Sequence, residues 1–307
     1  MSGGGDSASH LLATALPAPS DDPEGARLPD GLPPVPVVDA HVHVFPDRLF
    51  AAVRRWFDAH AWPIRYRLDA AQTVELLRAR GVDHVVALTY AHKPGLARAL
   101  NDWMAAFCRG TPHVTGLGTV FPGEDGAAAI VADAFAAGLG GLKLHCHVQC
   151  FAPDDPTVAE VYEACAAAGR PLVMHAGREP QSPAYRCDPH TLCAAERVAR
   201  VLAAHPRLKL VVPHLGADEF DAYERLLERH DNLWLDTTMM LADFFPGPPP
   251  RRLVQMRPER VMYGTDFPNI PYAWDRELVR LARMGLGDDA LAQIVGGTAR
   301  ALFVRLT

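Results

Sequence analysis

Eight short runs of β-branched and apolar residues alternate with longer helical segments, and this alternation restricts the fold more than any other feature of the chain. In order, the runs read VPVVDAHV, DHVVALTY, HVTGLGTV, GGLKLHC, PLVMHA, LKLVVPHL, NLWLDTT and RVMYGTD. Strands that alternate with helices favour βαβ units and a parallel sheet. Eight units in about 270 residues favour a closed (β/α)₈ TIM barrel over an open sheet.

The segments between these runs have the composition of helices, and several end at Gly or just before Pro, as helices commonly do. Six of them read AAQTVELLRARG, GLARALNDWMAAFCRG, DGAAAIVADAFAAG, PTVAEVYEACAAAG, HTLCAAERVARVLAAHP and ADEFDAYERLLERH. No glycine-rich phosphate-binding motif follows the first strand, which argues against a nucleotide-binding sheet. We therefore expect a single α/β barrel domain over residues 34–307.

The first 30 residues differ from the rest, since they are rich in Gly, Ser, Ala, Pro and Asp. This composition predicts a disordered or flexible tail over residues 1–33. The segment has no basic stretch followed by an apolar core, so we do not expect it to be a signal peptide.

Charge and cysteine content exclude some classes of function. The chain has 30 Lys and Arg against 36 Asp and Glu, without a basic patch, so we expect no nucleic-acid partner. No apolar run reaches the roughly 18 residues of a membrane span. The six cysteines form no CxxC pair, which favours a reduced, cytoplasmic protein.

Ionisable residues gather at the carboxyl ends of the predicted strands. They are His41, His43, Lys143, His145, His147, His175, His214, Asp236 and Asp266. Six of the 14 histidines of the chain are in this set. In a barrel the carboxyl ends of all strands meet at one face, where active sites are built, so we expect these side chains to lie together.

This convergence favours a metal site, although a single buried histidine is more often an ordinary core residue. Asp39, His41 and His43 are two residues apart and share one strand face. Several buried imidazoles and a carboxylate without partners would cost about 1–3 kcal/mol each. A divalent cation accepts their lone pairs, and three N or O ligands with an open position are what a catalytic zinc requires.

Four segments carry a resemblance to a known family. DAHVHVF, PLVMHAG, VVPHLG and YGTDFP, in this order on strands 1, 5, 6 and 8, are similar to the amidohydrolase superfamily. The resemblance is to its amidohydrolase-2 branch, which includes metal-dependent hydrolases and the aromatic and aminocarboxymuconate-semialdehyde decarboxylases. It spans about residues 36–305, and it implies a TIM barrel with a metal at its mouth.

The resemblance also implies roles for individual residues. His41, His43, His175 and Asp266 would bind one divalent cation, with Zn²⁺ favoured and Mn²⁺ or a second metal as alternatives. Asp266 would also act as the base toward a metal-bound water. His214 would contact the substrate or the bound hydroxide, or ligate a second metal.

Other residues are left with alternatives. Lys143 is a carboxylated bridge between two metals, a cationic contact to the substrate, or part of an ion pair beneath the site. His145 and His147 would contact substrate or support the ligands. Arg178 would hold a substrate carboxylate, or it is a solvated loop residue. Asp39 would bond an imidazole or the backbone, or it is a turn carboxylate.

The leading functional hypothesis is a metal-dependent hydrolase that uses a metal-activated water on a small amide, lactone or ester, with a substrate carboxylate for Arg178. The alternative is a metal-dependent non-oxidative decarboxylase of an unsaturated or aromatic carboxylic acid. A two-metal hydrolase with carboxylated Lys143 is a second alternative. The non-enzymatic alternative is a barrel that keeps these residues but serves as a binding or scaffold protein. The expected partner is a small-molecule substrate, and the resemblance implies a homodimer.

Overall fold

The computed structural model describes residues 22–304 and contains nine short parallel strands over that range. The strands are β1 (Val38–His43), β2 (His84–Leu88), β3 (Val114–Gly116), β4 (Gly118–Thr119), β5 (Leu142–His145), β6 (Pro171–His175), β7 (Lys209–Val212), β8 (Leu233–Asp236) and β9 (Val261–Met262). They form one sheet in the order β1-β2-β3 and another in the order β4-β5-β6-β7-β8-β9.

The two sheets form one ring, because the third predicted strand pairs with β2 up to Leu117 and with β5 after it. The third predicted strand, HVTGLGTV, is divided there into β3 and β4. The Leu117 N–H donates to Ala87 O at 2.9 Å, whereas the next residue, Gly118, donates to Gly141 O at 2.9 Å. The chain therefore leaves β2 for β5 within two residues, and eight strand positions remain around the ring.

The ring closes between β1 and the chain that follows β9. Ala40 N donates to Tyr263 O at 3.0 Å, and His43 N donates to Phe267 O at 2.8 Å. Val42 and Phe267 also form a parallel bridge. These contacts remove the open edge and confirm the predicted (β/α)₈ barrel.

Helices surround the ring. They are α1 (Asp47–His60), α2 (Ala70–Ala79), α3 (Ala97–Gly110), α4 (Ala127–Ala136), α5 (Cys146–Gln149), α6 (Ala159–Ala168), α7 (Pro189–Leu192), α8 (Ala195–Ala204), α9 (Phe220–Arg229), α10 (Arg251–Met256), α11 (Arg276–Arg283), α12 (Asp288–Ala292) and α13 (Thr298–Phe303). Short 3₁₀ turns cover Pro156–Val158, His214–Gly216 and Pro258–Arg260, and Gln293–Gly297 is a π-helical turn.

The six helical segments predicted from sequence all contain helices, with HTLCAAERVARVLAAHP divided between α7 and α8. Helix α1 was not predicted. A short helix, α5, also occupies part of the region after β5. Of the helices in the described range, none is long and apolar enough to span a bilayer.

Strand residues are buried on both faces, as expected of parallel strands covered by helices. Every residue of β1, β5 and β6 is buried, including the polar ones. The polar side chains at the mouth of the barrel are therefore held out of bulk water, and their partners decide what they do.

The chain before β1 lies partly against the barrel. The predicted tail covers residues 1–33, of which 1–21 lie outside the described residues. Asp22 is buried and accepts hydrogen bonds from Arg65, Ala273 and Arg276. Glu24 accepts from Tyr66 and Arg80. Residues 22–33 thus contact the barrel domain, and the domain boundary at residue 34 stays a prediction.

Candidate metal centre

Three of the four predicted metal ligands meet at the mouth of the barrel. His41 and His43 project from β1, and Asp266 lies just after β9. Asp266 Oδ1 is 3.3 Å from His41 Nε2 and 3.0 Å from His43 Nε2. Of residues 22–304, these three form the one group whose ligand atoms all lie within 4.8 Å of one another. Two imidazoles and a carboxylate are a donor set that Zn²⁺ and Mn²⁺ accept.

A second carboxylate, Asp236 at the end of β8, sets the orientation of His41. The His41 Nδ1–H donates to Asp236 Oδ2 at 2.8 Å. Asp236 Oδ1 accepts from the backbone N–H of His214 at 3.0 Å. Because Nδ1 carries the proton, Nε2 keeps its lone pair, and this buried atom has no hydrogen-bond partner. His41 is therefore arranged to bind a cation.

The charges at the site also suit a cation. Burial lowers the pKa of His41 well below its usual value, with Lys143 adding to the effect, so the ring is neutral. Burial alone would raise the pKa of Asp266, but His43 and His41 outweigh it, and the net pKa lies below the usual range. The site thus pairs a neutral imidazole with an ionised carboxylate.

Asp39 fixes the strand on which the two histidines lie. Its Oδ1 accepts from the backbone N–H groups of His41 and Thr265, at 3.1 and 3.2 Å. Its Oδ2 accepts from the Thr265 hydroxyl at 2.6 Å. Of the two partners considered from sequence, these bonds match the backbone and not an imidazole. Asp39 therefore joins β1 to the segment that carries Asp266.

The close approach of these two segments requires a glycine. A Cβ on Gly264 would lie 2.9 Å from His41 Cβ and 2.5 Å from Thr238 Oγ1. Any larger side chain would push the segment with Asp266 away from His41. The glycine of YGTDFP is thus needed to place the carboxylate.

The backbone conformations of Asp266 and His214 are also unusual. Their φ angles are +69° and +58°, in the left-handed region where glycine is favoured. Such conformations cost about 1–3 kcal/mol for other residues and are common at active sites. A histidine and an aspartate where glycine would be less strained are best explained by the chemistry of their side chains.

His214 lies beside the three candidate ligands and lines a cavity. Its Nδ1–H donates to Thr238 O at 3.0 Å, so Nε2 carries the lone pair. Burial lowers the pKa of His214, while Asp266 and Asp236 oppose this effect. The ring centroids of His41 and His175 are 5.7 and 4.6 Å away. His214 is therefore placed to accept a proton or to contact a ligand.

His175, the fourth predicted ligand, is outside the three-residue group. It is buried, and its Nε2 has no hydrogen-bond partner. Its ring stacks on His145 at 4.2 Å and meets the edge of His147 at 4.5 Å. Burial lowers the pKa of His175 well below its usual value, so the ring is neutral. His175 Nε2 is thus a buried nitrogen without a partner, on a ring that lies beside His214.

His145, His147 and Lys143 form the other side of the site. His147 Nε2–H donates to Gly177 O at 2.8 Å, and its Nδ1 is buried without a partner. His145 Nδ1 is buried and unpaired as well. Burial lowers the pKa of Lys143 to about 8, opposed by Asp236 and Asp266, and Nζ has no hydrogen-bond partner. The structure thus brings together all the strand-end residues that the sequence singled out.

A cavity of about 520 Å³ opens above these residues. His43, His145, His147, His175, His214 and Asp266 lie at its floor. Helix α1 forms one wall with Leu49, Ala52, Val53, Trp56 and Phe57, and Trp62 and Tyr90 extend the apolar surface. Loop residues Tyr185 and Arg186 lie at the rim, where the Tyr185 ring stacks on Trp56 at 5.1 Å.

Arg178, the predicted contact for a substrate carboxylate, is turned to other partners. Its Nε lies 2.8 Å from Asp218 Oδ1 and 3.4 Å from Glu219 Oε2. It is not among the residues that line the described cavity, whereas Lys93 and Arg186 are. The role of Arg178 stays a prediction. Lys93 and Arg186 are two other cationic side chains that could contact a substrate carboxylate.

Sequence reasoning missed two contributors to the site. Asp236 was noted at a strand end but was given no role. Its position at a strand end was the feature that could have indicated its contact with the site. The wall from α1 was missed entirely. Its signal was the apolar spacing of Leu49, Val53, Trp56 and Phe57 directly after the first strand, which is typical of one helix face.

Solved structures share this barrel. A 5-carboxyvanillate decarboxylase from Sphingomonas paucimobilis is 22% identical, with a TM-score of 0.65 over 88% of this chain and 99% of that chain. The enzyme of that name from Novosphingobium aromaticivorans, complexed with manganese and 4-hydroxy-3-methoxy-5-nitrobenzoic acid, is 16% identical, with a TM-score of 0.64 over 91% and 98%. A 2,6-dihydroxybenzoate decarboxylase from Rhizobium is 16% identical, with a TM-score of 0.60 over 88% and 98%. At these identities the likeness shows the fold.

No match is found among curated proteins. The sequence model of a family described as amidohydrolase does match, over residues 38–305. That range begins with β1 and includes every residue of the candidate metal centre. The predicted family is therefore confirmed: the chain belongs to the amidohydrolase-2 family of metal-dependent enzymes.

Proposed function

We propose that the protein is a metal-dependent, non-oxidative decarboxylase of a small aromatic carboxylic acid. This was the alternative at the level of sequence. The observation that carries it is the cavity, which His43 and Asp266 of the three-residue group line together with apolar and aromatic side chains. A flat aromatic ring suits such walls, and its carboxylate would face the floor.

The solved structures support the same choice. Three that share the barrel are decarboxylases of aromatic acids, and one of them contains manganese and a nitrobenzoic acid. We therefore propose one divalent cation at His41, His43 and Asp266, with Mn²⁺ and Zn²⁺ as the two ions to test. His175 would complete the ligand set, because its buried Nε2 has no hydrogen-bond partner.

When bound, the cation supplies positive charge that stabilises the electron-rich state from which CO₂ departs. The side chains of the protein do the rest. The apolar walls exclude water and hold the ring, so that the carboxylate bond to be broken is directed at the floor of the cavity. Asp236 holds His41 in the tautomer that keeps Nε2 free.

A proton must replace the CO₂ on the ring carbon, and His214 is the group that we assign to hold it. Its Nδ1–H is fixed on Thr238 O, so Nε2 is the atom that takes up and gives the proton. Burial lowers the pKa of His214, and Asp266 and Asp236 oppose this effect, so a ring that holds the proton gives it up more readily than an imidazole in water. Asp266 remains ionised beside His41 and His43, where it would bind the cation.

The test is a substrate screen on protein loaded with Mn²⁺ or with Zn²⁺. Hydroxylated benzoic acids are scored for CO₂ release, and matched esters, amides and lactones are scored for hydrolysis. Decarboxylation that is lost in His41→Ala supports the proposal. Hydrolysis without CO₂ release from any acid would overturn it and restore the hydrolase, which was the leading hypothesis from sequence.

Metal analysis of the same samples tests the two-metal alternative. One equivalent of metal per chain supports the single site. Two equivalents, with one lost in Lys143→Met, would instead support a carboxylated Lys143. A protein that binds neither ion would contradict every enzyme reading.

A further inference from the structure

Four of the six cysteines lie beside His147, in two pairs. The thiols of Cys150 and Cys187 both donate to the backbone oxygen of His147, at 3.6 and 3.3 Å, and they are within hydrogen-bond range of each other. Cys146 and Cys193 contact each other in the same way. Each pair joins the segment after β5 to the segment after β6.

The two pairs differ in how well solvent reaches them. Cys150 and Cys187 are half-buried, whereas Cys146 and Cys193 are buried. Cys150 directly follows the short helix α5. Cys187 lies near the end of residues 177–188, which we call the rim loop. The rim loop carries Tyr185 and Arg186, which line the cavity. The accessible pair is therefore the one that lies at the cavity mouth.

We propose that Cys150 and Cys187 are a reversible oxidation site, and that their disulfide fixes the rim loop over the cavity. Both sulfur atoms contact one carbonyl oxygen and each other, so the two side chains are held at the close approach that a disulfide requires. The proposal rests on these contacts and does not depend on which reaction the site catalyses.

The oxidant that we name is hydrogen peroxide. One thiol reduces peroxide, becomes a sulfenic acid and releases one water. The second thiol then attacks that sulfur, the S–S bond forms, the S–O bond breaks, and a second water leaves. Two thiols lose two protons and two electrons, which reduce one peroxide to two waters. Burial raises the pKa of Cys187 to about 12, which disfavours its thiolate as the group that attacks peroxide.

The crosslink would act on the mouth of the cavity. Tyr185 stacks on Trp56 of α1 at 5.1 Å and meets His147 at 5.3 Å, so it lies between the two sides of the opening. With Cys187 tied to Cys150, the loop can no longer lift Tyr185 from Trp56. Molecules that pass this opening, including a metal chelator, would enter more slowly.

The experiment treats full-length, Mn²⁺-loaded protein with peroxide. We expect free thiols to fall from six to four, a Cys150–Cys187 peptide to appear in non-reducing mass spectrometry, and reductant to restore all six. Removal of Mn²⁺ by a chelator should slow several-fold on oxidation and recover on reduction. Cys150→Ser and Cys187→Ser should each abolish the crosslink and the slowing.

Cys108→Ser is the matched control, because Cys108 is also half-buried but lies on α3. It should keep the peroxide response of the wild type. A crosslink that maps to Cys146 and Cys193, or a full set of free thiols after treatment, would overturn the proposal. If the oxidised protein lost Mn²⁺ to the chelator as fast as the reduced protein does, that result would also contradict the proposal.

Discussion

The candidate site has two sides that differ in whether their nitrogen atoms contact a carboxylate. On the ligand side, which we define as His41, His43, Asp236 and Asp266, each side chain bonds or closely contacts another. On the open side, Lys143, His145, His147 and His175 each have a buried nitrogen without a partner and, within the described residues, no carboxylate at ion-pair distance. Both sides are buried, so solvent exposure does not explain the difference.

The difference shows which side is already arranged for its ligand. A bonded imidazole such as His41 has a fixed tautomer and ring orientation, which is what a metal requires of its ligands. Unpaired buried nitrogens cost free energy until something bonds to them. We infer that the ligand side holds the cation and that the open side contacts the substrate, with His175 at the boundary between them.

Removing the Asp266 carboxylate, which contacts both His41 and His43, should have the largest effect on metal binding and activity. Asp266→Asn keeps the shape but removes the charge that faces His41 and His43, so we expect loss of bound metal and a fall in activity of about 10²–10⁴-fold. Metal analysis and turnover measure the two effects. Asp231→Asn, an exposed aspartate paired with Arg257, is the control and should change neither. Full metal content in Asp266→Asn would contradict the assignment.

His175→Ala tests where the boundary between the two sides lies. If His175 completes the ligand set, the variant should bind metal more weakly than the wild type, by a smaller factor than Asp266→Asn. His145→Ala is the matched comparison, since its ring stacks on His175 and is equally buried. We expect His145→Ala to keep its metal and to change KM or kcat. If the two variants bound metal equally well, His175 would be assigned to the open side and not to the metal ligands.

Asp236→Asn should weaken metal binding through His41. Losing the carboxylate that accepts from Nδ1–H frees the ring to change tautomer and orientation, and such losses typically cost about 10–100-fold in metal affinity. Titration with Mn²⁺ and a competing chelator measures it. The effect should disappear in a His41→Ala background, because Asp236 then has no ring to orient. An additive effect of the two substitutions would show that Asp236 acts by another route.

The sequence alone located the polar residues of both sides, because strand ends can be read from local patterns. The alternation of strands and helices predicted the barrel, and a barrel brings strand ends together whatever its loops do. Which nitrogens are paired could not be read, since the bond from His41 to Asp236 joins residues 195 positions apart. The break at Leu117 likewise depends on neighbouring strands that a local pattern does not show.

The wall of the cavity and the partners of Arg178 were unpredictable for a related reason. Helix α1 has an ordinary amphipathic pattern, and only its position beside the candidate site makes its apolar face part of the cavity wall. Arg178 meets Asp218 because the loops after β6 and β7 approach each other. Loop positions are set by packing between distant segments, so residue type gives little information about them.

The pH dependence of stability tests the state of Lys143 on the open side. Burial lowers its pKa from 10.5 to about 8 in the folded protein. Between these values the unfolded chain binds the extra proton, so stability rises with pH. Relative to Lys143→Met, the metal-free wild type should gain about 2 kcal/mol from pH 8 to 10. Urea unfolding measures it, and a constant difference would indicate a lysine that is solvated or carboxylated.

Arg178→Ala should have the smallest effect, although sequence reasoning made Arg178 a substrate contact. Its guanidinium is held by Asp218 and Glu219, partly exposed, and such pairs contribute about 0–1 kcal/mol to stability. We expect KM for an active aromatic acid to stay near that of the wild type. Arg186→Ala is the comparison, because Arg186 lines the cavity, and it should raise KM more. A larger rise of KM in Arg178→Ala than in Arg186→Ala would show that Arg178 leaves Asp218 and Glu219 when substrate binds. The loop after β6 would then belong to the open side.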